Sequence, residues 1–137
     1  MTSKRFVFDT NVLVSAAIRR YSLPRQALDH VLLRGHLLML EVTIHELREV
    51  LFRPKFDKYV SMQTRLLFLT TLLNEVEAVT ITQQIVVCRD PRDDKFLDLA
   101  INGGANCIIS GDEDLLSLHP FRTIPIFTPR AFLEQQW

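Results

Sequence analysis

The apolar positions of this chain change their spacing repeatedly. Phe6, Val7 and Phe8 form a short β-type run that stops at Asp9, and NVLVSAAIRR behind it is compatible with a helix. Asp9 is thereby placed at the carboxyl end of a strand. Pro24, the apolar set Ala27, Leu28, Val31 and Leu32, and then Gly35 outline a second helix from first turn to C-terminal cap. LLMLEV from Leu37 reads as another buried strand. Thr43 and Glu46 have capping-box spacing, and Ile44, Leu47, Val50 and Leu51 make one apolar stripe before Pro54. A third helix is predicted there, with Glu46 one turn inside it.

Met62, Leu66, Leu69, Leu73 and Val76 recur at helical spacing over residues 61–77, after a short helical piece around residues 56–59. A third strand is predicted over residues 85–88, followed by the turn RDPRD and a helix from about Asp93 with Phe96, Leu97, Ala100 and Ile101 inward. Gly103 and Gly104 end that helix. NCIIS makes a fourth buried strand, Gly111 is expected to turn the backbone sharply, and DEDLLSL opens a short helix. IPIF supplies a last strand before a terminal helix over residues 130–135. Such alternation implies βαβ crossovers: a three-layer α/β/α fold with a mostly parallel central sheet, whose ligands bind beyond the carboxyl ends of its strands.

Those strand ends carry carboxylates. Asp9 follows the first strand, Glu46 the second within one turn, Asp94 opens the helix after the third, and Asp112 follows the fourth. Any one of them is equally well explained as a helix cap or a charge favoured by the helix dipole. Together they converge on one sheet edge, where like charges would raise one another's pKa unless a cation sat among them. Oxygen donors without His or Cys favour Mg²⁺ or Mn²⁺, and phosphodiester hydrolysis is the natural chemistry of such a centre. Helix phase leaves Asp94 at the rim of the buried stripe, with Asp98 one turn on, and assigns Asp93 to the N-cap alone. Asp114 is a candidate further metal ligand or a plain helix-start charge. Thr10, Asn11 and Ser110 are candidates to orient the ligands, or are local caps.

Composition narrows the picture without choosing a substrate. The 137 residues suit a single domain spanning the whole chain, 1–137. No apolar stretch approaches the roughly 18 residues that a membrane span needs, and the run ending at Asp9 is too short for a secretory signal. A cytoplasmic location is expected. Cys88 and Cys107 stand far apart and suggest neither a disulfide framework nor a zinc site. Lys plus Arg equals Asp plus Glu at 16 each, so a polyanion has to be held by local cations. Two groups are available, Arg19, Arg20 and Arg25, and Arg48, Arg53, Lys55 and Lys58; either is also what a solvated surface shows.

Taken in order, FVFDTNVLVSA, ELREVLFRPKF, DPRDDKFLDLA and CIISGDEDLL resemble a PIN domain, in particular the VapC-like toxin branch, and the likeness covers nearly the entire chain. It implies a Mg²⁺- or Mn²⁺-dependent endoribonuclease, usually the toxin of a toxin-antitoxin pair, with the family acids falling on Asp9, Glu46, Asp94 and Asp112. RNA and an antitoxin protein are the implied partners. Where many relatives carry Ser or Thr at the end of the second strand, this chain has Leu40 and Glu41, with Thr43 nearby. The leucine-rich set Leu23, Leu32, Leu33, Leu37, Leu38, Leu66, Leu67, Phe68, Leu72 and Leu73 exceeds what one core needs, and predicts a homodimer. Two rival readings remain: a PIN-fold interaction module without turnover, and a Mg²⁺-dependent phosphatase or receiver-like domain. The latter is weakened because DTNVL lacks a second Asp two residues after Asp9.

Overall fold

The computed structural model describes residues 3–80 and 93–137. Strand β1 (Arg5–Phe8) leads into helices α1 (Thr10–Ile18) and α2 (Leu23–Arg34), followed by β2 (His36–Met39) and α3 (Glu41–Leu51). A 3₁₀ turn (Pro54–Phe56) precedes α4 (Met62–Glu75) and β3 (Val76–Ala78). After the undescribed residues come α5 (Asp94–Gly103), β4 (Cys107–Ile109), α6 (Glu113–Leu116), β5 (Ile126–Phe127) and α7 (Pro129–Leu133). The sheet runs β3-β2-β1-β4-β5 with every pairing parallel.

Both faces of this sheet are covered, and the strands show why. Phe6, Phe8, Leu37, Met39, Cys107 and Ile109 enter one core, while their neighbours Val7, Leu38 and Ile108 enter the other. Alternate residues of a strand point to opposite faces, so a strand buried on both faces reads as one continuous apolar run. Helices α1 to α4 and α7 supply the first core, and α5 and α6 the second. Leu37, Leu38 and Leu72 are therefore core residues and take no part in an apolar surface. Leu33, Leu66 and Leu67 remain exposed.

Helix starts and stops follow local chemistry. Ser22 caps α2 by accepting from the Arg25 backbone N–H, and Ser61 caps α4 by accepting from Thr64. Gly35, after α2, is required by space: a Cβ there would stand 2.7 Å from the Lys4 carbonyl oxygen and 2.9 Å from the Phe6 ring. Gly104 ends α5 in the left-handed conformation, φ +64°.

Three expectations need correction. Helix α3 begins at Glu41, so Thr43 lies inside it, where its hydroxyl accepts from the Leu40 N–H and donates to the Leu40 carbonyl. Glu46 therefore does not complete a capping box. The helix expected over residues 61–77 stops at Glu75, because Val76–Ala78 pairs with β2 as an edge strand. Its half-buried Glu77 meets Arg5 at 2.5 Å across the sheet. Gly111 does not adopt the left-handed conformation. The strand predicted over 85–88 lies outside the described residues.

Candidate active site

The chain orders its strands outward from β1 in two directions: β2 and β3 to one side, β4 and β5 to the other. The two directions part between β1 and β4. Connections leaving these strands separate there, which opens a crevice beyond their carboxyl ends. Asp9 closes β1 and Ser110 closes β4, and the strands stay joined up to this point by the Asp9 N–H donating to the Ile109 carbonyl at 3.1 Å.

Asp9 is 5% exposed. One carboxylate oxygen caps α1 by accepting from the Val12 N–H at 2.8 Å, and the other accepts from the Ser110 hydroxyl. Burial pushes its carboxyl above the ordinary range, with the nearby Asp112 charge adding to the rise, against the opposing bonds from Ser110, Val12 and the Gly111 backbone. Ser110, itself fully buried, also accepts from the Asp112 N–H at 2.9 Å, tying the two acidic strand ends together. Asp112 in turn caps α6 by accepting from the Asp114 N–H at 2.9 Å. Cap and site are not competing roles for these residues. The same strand-to-helix junctions that need a cap are the ones that face the crevice.

Glu46 enters from α3. Its Oε1 accepts from the buried Thr10 hydroxyl, and its Oε2 meets the Lys95 ammonium at 2.9 Å. Asp9, Thr10, Asn11, Glu46, Asp93, Lys95 and Asp112 line one cleft of about 260 Å³. Carboxylate oxygens of Asp93, Asp112 and Asp114 all lie within 4.8 Å of one another.

Asp93 occupies the N-cap position of α5, as its place before the helix predicts. Its side chain makes no cap hydrogen bond to α5, and its carboxylate stands with Asp112 and Asp114 at the cleft. Asp94, the first residue of α5, is 7% exposed and does not join that group. A residue on the apolar stripe of a helix is drawn toward the core. Asp98, partly buried one turn further along α5, is likewise outside the group. Lys95 went unremarked in the sequence, although a lone cation inside DDKFLD is the trace it leaves.

Fold and site together define a class: a doubly wound α/β domain with an acidic centre at the switch point of its sheet. Comparison with known proteins makes it specific. The family model described as the PIN domain matches residues 5–114, and the chain belongs to the PIN domain family. Members of that family are in general nucleases. A protein of Methanocaldococcus jannaschii, the uncharacterized protein MJ1680, is 31% identical over 143 aligned residues that cover 96% of this chain and 90% of the relative. Among solved structures, PAE2754 from Pyrobaculum aerophilum superposes with a TM-score of 0.61 at 15% identity, covering 96% of this chain and 88% of that one. VapBC2 from Rickettsia felis, bound to a DNA fragment from its promoter, superposes with a TM-score of 0.60 at 11% identity, covering 89% and 96%. At these identities the two structures speak to the fold. Among the described residues no helix is long and apolar enough to cross a membrane.

Proposed function

We propose that the chain, as one domain, is a divalent-metal-dependent endoribonuclease acting as the toxin of a toxin-antitoxin pair. The observation that carries this is the meeting of Asp93, Asp112 and Asp114 within 4.8 Å, in a crevice whose walls also hold Asp9 and Glu46. The donors fit a hard cation, being oxygens throughout, and the buried Asp9 carboxylate, which burial disfavours as an anion, is a group that a cation would stabilise. Asp9, Asp93, Asp112 and Asp114 are the residues to hold Mg²⁺ or Mn²⁺, with Glu46 at the rim. Bound there, such an ion supplies neutralisation of the phosphoryl charge and a water of lowered pKa.

The chain's own groups do the remainder. Ser110 and the Val12 N–H fix the rotamer of Asp9, and Thr10 and Lys95 fix that of Glu46, so neither carboxylate must be ordered when substrate arrives. A Glu46 oxygen takes the proton of the attacking water, and the Lys95 ammonium beside it holds that carboxylate in place. In-line attack breaks the bond from phosphorus to the 3′ oxygen, which takes a proton from solvent, leaving 5′-phosphate and 3′-hydroxyl ends. The toxin role is supported by the likeness to the VapBC2 assembly, and the exposed Leu33, Leu66 and Leu67 offer apolar area for an antitoxin or a second copy. Labelled single-stranded RNA incubated with the purified chain should be cut with Mn²⁺ and left intact in EDTA. Intact RNA under both conditions would favour the reading as an interaction module.

A further inference from the structure

Beside the acidic cleft lies a second, larger one of about 530 Å³, and Asn11 and Val50 line both. One wall is the carboxyl-terminal half of α1 as far as Arg19, and the other is the segment after α3 that carries Arg53, Lys55, Phe56 and Tyr59. Between the two clefts the charge inverts. The second is lined by Arg19, Arg53 and Lys55, and among the described residues its lining holds no carboxylate. All three cations are exposed.

Two aromatic rings share this wall. Tyr59 is 66% exposed, and Lys58 Nζ lies 5.1 Å from its ring centre, so aromatic face and positive charge come together. The segment bearing them is pinned. Arg65 of α4 is 1% exposed and donates to the Leu51 carbonyl at 3.1 Å, the Arg53 carbonyl at 3.3 Å and the Asp57 carboxylate at 2.6 Å. A buried guanidinium spent on holding a surface turn gives a rigid platform, which loses little freedom when a ligand settles on it.

We infer that this cleft is a subsite for single-stranded nucleic acid, receiving the unpaired nucleotides next to the phosphate held at the acidic centre. A base stacks on Tyr59, and flanking phosphates pair with Arg19, Arg53 and Lys55. Stacking on a protein ring requires a base free of its own helix, so duplex is disfavoured. The inference rests on the nuclease reading given above.

The test is anisotropy titration of the full chain, in EDTA to prevent cleavage, with a fluorescein-labelled mixed-sequence single-stranded RNA of 12 nucleotides (about the span of one such groove) and the same sequence as duplex. Wild type should prefer the single strand. Tyr59→Ala should weaken it about tenfold, Tyr59→Phe should keep wild-type affinity, and Arg53→Ala with Lys55→Ala should flatten the slope of log affinity against log salt by about 1.4. Melting temperature and its rise with Mn²⁺ should match wild type in all variants, because none touches the acidic centre. Cleavage in Mn²⁺, measured on the same preparations, separates the two proposals. If wild type cuts RNA and Tyr59→Ala cuts with unchanged KM, the subsite is overturned and the nuclease reading stands. If binding depends on Tyr59 but wild type never cuts, the nuclease reading falls and the subsite stands. Equal affinity for duplex, or no RNA binding at all, overturns the subsite and leaves the cleft to a protein segment.

Discussion

Replacing Asp9 by Asn separates what the carboxylate does for the fold from what it does for the site. The substitution exchanges one oxygen for an NH₂ of the same size. The carbonyl oxygen of Asn can still accept from the Val12 N–H, so the cap of α1, worth about 1 kcal/mol, is retained. On the far side Ser110 now accepts rather than donates, and the charge-assisted part of that bond is lost. Against this, a buried anion beside Asp112 disappears. Incompletely compensated burial of a polar group costs about 1–3 kcal/mol, and the two remaining bonds offset part of it. The metal-free variant should therefore be more stable than wild type by on the order of 1 kcal/mol, or about 3–5 °C for a domain of this size.

The pH dependence fixes the sign. Asp9 has a folded-state pKa raised above its ordinary value of 3.8, so the native chain keeps a proton that the unfolded chain has released. Stability then falls as pH rises from about that value through the folded pKa. The advantage of the Asp9→Asn variant should be absent at pH 4 and larger at pH 8. Metal reverses the order, because an ion at 100 times its Kd adds about 2.7 kcal/mol to wild type and less to the variant. Thermal melts at both pH values, in EDTA and in Mn²⁺, read all of this. An Asp9→Asn protein that melts well below wild type in EDTA at pH 8 would show that the charge itself holds the fold, and would refute the reasoning.

Asp93→Asn should shrink the Mn²⁺-induced rise in melting temperature and slow cleavage by about 10²-fold, while Asp94→Asn leaves the metal response near wild type; melts and rates on the two purified variants check this. Arg65→Met should cost about 2–4 kcal/mol in urea unfolding, because the buried Leu51 carbonyl loses its partner, whereas Asp57→Asn should cost under about 1 kcal/mol, its carboxylate being mostly in water. Gly35→Ala should destabilise by about 1–3 kcal/mol in the same assay, since the new methyl meets the Lys4 carbonyl, which is backbone and cannot swing away.

The architecture was legible because its sheet is buried on both faces: runs such as Phe6 to Phe8 and Cys107 to Ile109 carry no alternation to confuse them with surface strands. The start of α2 near Pro24 was equally plain, being fixed by ring geometry, whereas its Ser22 cap shows only in the fold. Edge strand β3 was not. Its three residues include Glu77, held by an ion pair with Arg5 far away in sequence, and no local period marks them. The crevice could be placed from strand ends, yet the choice between the adjacent Asp93 and Asp94 turned on tertiary geometry. Periodicity reports which residue faces a core, and Asp94 is buried; it does not report which carboxylate meets Asp112 and Asp114. Lys95 and the charge inversion between the two clefts depend on how α1, α3 and α5 approach, which only the folded chain shows.

The most direct measurement is the rate at which wild type and Asp9→Asn, expressed and purified in parallel, cut the same labelled single-stranded RNA across a Mn²⁺ titration. Wild type should cut with a rate that saturates in Mn²⁺ and vanishes in EDTA, giving 5′-phosphate products, and the folded variant should be slower by about 10² to 10³ at every concentration. Equal rates in the two proteins, or cutting that persists in EDTA, would contradict a metal-holding acidic centre built around Asp9.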